Sequence, residues 1–172
     1  MYSDCYEGIN FFIIPIRLRD PNSILKLISN NVQLLNANLI AGYEHILTSL
    51  KFAIRSWKKN KNIAKSLVME VLLYASATRQ IKDAINKIGI NQNLKECIVL
   101  IINDKSIINE LLKYGEEDES LIKITKEKIQ KLMEAFNIKE LEFSIAKSIY
   151  EKEEIAIQSL VLEKIALSEL FR

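Results

Sequence analysis

The stretch LLYASATRQIKDA, residues 72–84, sets Ser76, Thr78, Arg79 and Gln80 within five positions in the middle of an otherwise apolar run. Ala75, Ser76 and Ala77 have little bulk, so a backbone or a flat ligand can come close there. Ser76 or Thr78 can cap a new helix whose first turn offers unpaired amide donors. Arg79 and Gln80 then add a guanidinium and a primary amide beside those donors. Together such groups suit a phosphate or a nucleobase edge. The same residues also describe a plain helix junction with Arg79 as an ordinary ion-pair partner, and the stretch alone leaves both readings open.

A second group is cationic: Lys51, Arg55, Lys58, Lys59, Lys61 and Lys65, with no Asp or Glu in residues 45–69. Unneutralised lysines bind nucleic acid without sequence preference by releasing counterions. Trp57, among them, can stack on an unpaired base or anchor its helix in the core. The plainer alternative is a solvated helix end. Catalytic patterns find little support. The four glycines (Gly8, Gly42, Gly89, Gly115) are isolated, and no GxSxG, HExxH or paired Cys/His spacing occurs. His45 is the only histidine, and Cys5 and Cys97 are far apart. No metal site, disulfide framework or cofactor is therefore expected, and the chain is read as a non-enzyme.

The elements that must carry these residues follow from composition and periodicity. The chain has 172 residues, 49% hydrophobic and 27% charged, the balance of a soluble protein of one domain spanning 1–172. No segment approaches the roughly 18 uninterrupted apolar residues of a membrane span, so no membrane partner is expected. The apolar run at 11–16 is too short for a secretion signal and follows Asp4 and Glu7, which points to the cytoplasm. Charge is split: residues 1–115 carry 15 Lys and Arg against 9 Asp and Glu, and residues 116–172 carry 9 against 13.

Residues 10–19 read as a strand that Pro15 confines to an edge or a bulge. Asp20-Pro21 caps a short helix. A second strand is read at 32–40, a helix at 43–59, a core helix at 66–77 and an amphipathic helix from Ile81 to Gly89, the glycine taken as its C′ residue. The run CIVLII, residues 97–102, suits a strand covered on both faces, followed by Asn103-Asp104 capping a helix at 105–114. EEDES, residues 116–120, reads as a solvated acidic linker to a C-terminal helical part. That part comprises a helix at 125–136, an extended piece at 138–143 and a terminal helix at 150–170. The fold class is α/β, a small mixed sheet packed by several helices and mostly helical by residue count.

At 100° per residue the last helix has two apolar stripes, Ile155, Leu162 and Ala166 on one and Leu160, Leu167 and Phe171 about 140° away. One stripe can meet the protein's own core. The other needs a partner or full burial within the domain, and both remain open.

HILTSLKFAI (45–54), MEVLLYASATRQIKDAINKIGI (69–90) and VLEKIALSEL (161–170) together resemble the Cgi-type subunit of the KEOPS complex, the relative of the human PRPK-binding protein. The resemblance is weakest over 103–150. It implies a non-catalytic adaptor in the installation of threonylcarbamoyl adenosine on tRNA, without cofactor. Its implied partners are the small atypical kinase of that complex, the other KEOPS subunits through the kinase, and the single-stranded 3′ CCA end of tRNA. On the family's motif, Ser76, Thr78, Arg79 and Gln80 fall at the tRNA-facing junction with His45 opposite, and Lys58 and Lys59 join them on charge alone. The kinase is expected on Leu160, Leu167 and Phe171, and the isolated protein is expected to be a monomer. A protein-binding scaffold or kinase regulator without RNA affinity is the alternative.

Overall fold

The computed structural model describes residues 1–90 and 94–170. Strand β1 (Tyr2–Tyr6) turns into β2 (Ile9–Leu18), followed by helix α1 (Pro21–Ile24) and β3 (Val32–Asn36). Helices α2 (Gly42–Lys58), α3 (Leu67–Ala75) and α4 (Ile81–Ile88) precede β4 (Glu96–Ile102), α5 (Ile107–Leu111) and β5 (Gly115–Glu117). Three helices close the described chain: α6 (Lys126–Ala135), α7 (Glu140–Ile149) and α8 (Glu153–Glu169). This is the mixed α/β architecture the sequence implies, and each pairing in its sheet is antiparallel.

The strand order β1-β2-β4-β3 puts β4 at the centre, with β5 also pairing β2. Alternation along β4 explains why CIVLII has no polar position. Ile98, Leu100 and Ile102 enter the larger core against α2, α3, α6 and α8, whereas Cys97, Val99 and Ile101 enter a smaller one with Ile24, Leu27 and Leu111. Burial there pushes the Cys97 thiol up to about 12 and makes it inert.

Several expectations need correction. Pro15 lies in an interior strand, neither at an edge nor in a bulge. Its carbonyl accepts the Asp118 amide at 3.0 Å, so the position where its own N–H would be faces the same side, between the end of β1 and the start of β5. The ladder to β4 therefore loses nothing. EEDES is not a free linker. Glu116 and Glu117 belong to β5, and Asp118 caps the 3-10 turn Glu119–Ile122 while its Oδ2 accepts from Arg17 at 2.9 Å. The segment read as extended at 138–143 is the start of α7, where Glu142 Oε2 accepts the Lys139 amide at 2.7 Å. The second strand stops at Asn36 and gives way to a 3-10 turn, Ala37–Leu39. Helix α5 starts only at Ile107, because Asn103 (φ 55°) turns the chain and its Oδ1 accepts from the Asn10 amide. Gly89 has φ −68°, so it is no left-handed cap. A Cβ there would lie 2.4 Å from the Ile85 carbonyl oxygen, and close approach is what requires glycine.

One buried carboxylate shapes the basic region. Glu70 is fully buried, and its Oε2 accepts the amides of Ile63 and Ala64 at 2.9 and 2.8 Å, pinning the loop between α2 and α3. Glu70→Gln weakens two charge-assisted bonds and is expected to cost about 1–2 kcal/mol in denaturant unfolding. An unchanged midpoint would mean that the loop holds itself.

Candidate functional site

The interruption at residues 75–80 is a helix C-terminus of Schellman type. The Ala77 amide donates to the Tyr74 carbonyl at 2.8 Å and the Thr78 amide to the Leu73 carbonyl at 3.2 Å, with Ala77 itself left-handed at φ 52°. Glycine usually fills that position, so an alanine there carries backbone strain. The chain leaves α3 sharply, and α4 begins after Gln80 with no side-chain cap. Capping by Ser76 or Thr78 is thus not how α4 starts. Ser76 is fully buried with its hydroxyl donating to the Leu73 carbonyl at 2.9 Å, and the Thr78 hydroxyl accepts only a long 3.4 Å contact from the Gln80 amide.

His45 lies directly beneath this junction. Its Nδ1 accepts the Ala41 amide at 2.9 Å, which leaves the ring proton on Nε2 to donate to the Ala75 carbonyl at 2.8 Å. The imidazole is fully buried, edge-on to Phe136, and desolvation lowers its pKa to about 4. It fastens the start of α2 to the end of α3 and offers no atom to a ligand. His45 and Ser76 therefore shape the junction from inside, whereas Arg79 and Gln80 are exposed on it.

A cleft of about 250 Å³ opens beside the junction, lined by Ala77, Lys87, Phe136, Lys164, Leu167 and Ser168. Lys87 reaches back from α4 to donate to the Ser76 carbonyl at 2.8 Å and stands 4.0 Å over the Phe136 ring. Burial lowers its pKa to about 8. An aromatic face, two lysines and small residues form a surface that can take a planar polar group. Lys87, Phe136 and Lys164 were not singled out from sequence, where each is an ordinary residue of an amphipathic pattern and only folding brings them to Ala77.

The other expected residues are distributed differently. Lys58 pairs with Glu7 at 2.6 Å, which holds the Glu7 carboxyl below its usual range, while Lys59, Lys61 and Lys65 are exposed. Lys58 and Lys59 end α2 and Lys61 and Lys65 lie in the loop before α3, whereas the junction follows the other end of α3, a helix of 9 residues and so about 13 Å long. Trp57 is half-buried. Neither expected stripe is the core face of α8: Ala156, Ile157, Val161 and Ile165 enter the core, whereas Ile155 and Ala166 are exposed. Leu167, 42% exposed, lines the junction cleft, and Leu160 lines a second groove of about 440 Å³ with Ile145, Ala146, Ile149 and Tyr150. Phe171 lies outside the described residues. The second groove exposes an apolar stripe along α7 that the extended reading of 138–143 concealed: Leu141, Ile145 and Ile149 are 71%, 54% and 69% exposed. Four-residue spacing puts all three on one helix face.

The family model described as "Kinase binding protein CGI-121" matches residues 19–169. The chain is also 35% identical, over 140 residues, to the protein named "Regulatory protein Cgi121" of Methanocaldococcus jannaschii, covering 80% of this chain and 83% of that relative. The chain belongs to the Cgi121 family. The match takes in the junction, the basic loop and both helices of the α7–α8 groove, so each surface described above lies within the family's region. Among the described residues no helix is long and apolar enough to cross a membrane, and no group of three His, Cys, Asp or Glu side chains is placed to hold a metal ion.

Proposed function

We propose that this protein is a non-catalytic, kinase-binding subunit of a KEOPS-type assembly that recruits tRNA through its single-stranded 3′ CCA end for threonylcarbamoyl adenosine modification. Membership of a family described by kinase binding supports the kinase partner. The observation that carries the RNA half is the junction: exposed Arg79 and Gln80 beside a cleft holding the Phe136 ring and the Lys87 ammonium. Unstacked bases are held by such aromatic and guanidinium planes. Lys59, Lys61 and Lys65 add backbone attraction one helix length away.

The kinase is assigned to the exposed apolar groove of α7 and α8, with Leu160 joined by Ile145 and Ile149, whereas Leu167 faces the junction cleft and leaves that assignment. Other KEOPS subunits are reached through the kinase, in the cytoplasm, and the protein without its partners is a monomer.

The test is the affinity for intact tRNA and for the same tRNA trimmed of CCA, at one salt concentration. Trimming is expected to cost about tenfold or more, and Arg79→Ala to weaken the intact tRNA alone while changing stability by less than about 0.5 kcal/mol, as exposed substitutions do. Equal affinity for both RNAs would overturn the CCA assignment. A second reading, a protein-binding scaffold without RNA affinity, draws on the burial of His45 and Ser76, which removes two of the proposed contacts. It predicts no tRNA binding at physiological salt.

A further inference from the structure

A polar cleft of about 370 Å³ lies between the turn Ala37–Leu39, the turn Glu119–Ile122 and the first turns of α6. One wall is a continuous chain of contacts. Arg17 donates to Glu96 Oε1 at 2.5 Å and to Asp118 Oδ2 at 2.9 Å, and Asn38 Nδ2 donates to Glu96 Oε2 at 3.3 Å. Lys131 Nζ continues it, donating to Asn38 Oδ1 at 3.1 Å and pairing with Glu127 at 2.9 Å.

Lys128 stands outside that chain. The residue is only 5% exposed, and its ammonium donates to the carbonyls of Leu121 at 2.9 Å and Lys123 at 3.2 Å. An ammonium has three N–H groups, so one is left without a protein acceptor, and no carboxylate among the described residues pairs with it. The one carboxylate that acts on it, Glu96, forms no ion pair with it and is already shared by Arg17 and Asn38, so the buried cation is only partly compensated, which is costly. Its place in the first turn of α6, at the positive end of the dipole, adds to that cost. Both costs fall when an anion enters the cleft.

We propose that this cleft binds a small hydrophilic oxyanion, a phosphate or a carboxylate, seated on the Lys128 ammonium. Thr125, whose hydroxyl oxygen accepts the Lys128 amide and keeps its proton, lines the same space as a further donor, and Glu96 and Asn38 supply acceptors for hydroxyl or amino groups on the remainder of the ligand. Desolvation brings Lys128 down to about 8, which still leaves it mostly charged at neutral pH. The cleft shares no lining residue with the junction cleft, so this site stands or falls independently of RNA recruitment. Its rival is a lysine that merely clamps two carbonyls at the end of a turn.

The experiment is an amide NMR titration of the full chain with sodium pyrophosphate and, separately, with sodium malonate, chloride holding the ionic strength constant. Saturable shifts are expected at Asn38, Leu121, Lys123 and residues 125–128, half-complete below about 5 mM, an affinity of roughly 3 kcal/mol. Lys128→Met is expected to weaken them at least about tenfold. Saturation by pyrophosphate alone identifies a phosphorylated ligand, by malonate alone a carboxylated one, and by both the shared class. No saturation with either salt below about 50 mM, or shifts centred on residues 59–65, overturns the site. The wild-type titration decides the matter even if the variant does not fold.

Discussion

Ile149→Asp is expected to weaken binding of the kinase partner by about 100-fold or more, roughly 2.7 kcal/mol, while leaving the proposed tRNA binding and the melting temperature unchanged. Ile149 is 69% exposed at the end of α7 and lines the groove that also contains Ile145, Tyr150 and Leu160. A solitary exposed isoleucine needs no explanation. Three of them, or their equivalents, at four-residue spacing on one face of a short helix form a contiguous apolar surface of the kind a partner covers. The groove also contains Glu142 and Glu163, in the half of the chain where acidic residues outnumber basic ones. A carboxylate placed there would lose its water on docking, so the penalty falls on the complex and not on the free fold. Calorimetry with the purified kinase reads the affinity, and a thermal melt confirms that folding is untouched. A variant that binds as tightly as its parent would move the kinase off this groove.

Why α7 escaped the sequence reading is instructive about which features are local. In IKELEF the apolar residues Ile138, Leu141 and Phe143 sit between charges in a spacing that suits a short strand as well as a helix. What decides for helix is Glu142 accepting the Lys139 amide, together with Phe143 and Ala146 packing into the core. Similarly, EEDES reads as solvated because its cations lie elsewhere in the chain. Arg17 and Arg19, about a hundred residues away, answer Asp118 and Glu116 across β2 and β5. By contrast, CIVLII and Asp20-Pro21 are legible because the information is local: an uninterrupted apolar run of strand length, and a cap followed by proline at the first helical position. The junction falls between. Its existence follows from ASAT, but its geometry depends on Ala77 adopting the left-handed conformation without glycine.

His45 shows the same division most sharply, and it yields the remaining prediction. Both of its partners are backbone groups, the Ala41 amide and the Ala75 carbonyl, which no side-chain pattern announces. Protonation would place an N–H on Nδ1 facing the Ala41 N–H, donor against donor. Nearby Lys128 and Lys87 also disfavour the imidazolium, after desolvation as the main cause. The pKa is therefore about 4 in the folded protein against 6.5 in the unfolded chain. Between those values the unfolded chain holds more protons, so stability is full above pH 6.5 and falls as the pH drops towards 4, by about 3 kcal/mol at most. Glu7, Asp118, Glu127 and Glu142, whose pKa values are lowered by their hydrogen-bonding partners, lose stability over an overlapping acidic range. Denaturant unfolding of wild type and His45→Gln across that range separates the two, because the carboxylates contribute to both curves. The difference between the curves should fall by about 2–3 kcal/mol from pH 7 to pH 4.5. The protection of the Ala41 amide against exchange should fall over the same window in the wild type, since a protonated Nδ1 can no longer accept from it. Parallel curves would show that His45 is protonated in the fold and that the Ala41–His45–Ala75 link does not hold the junction closed.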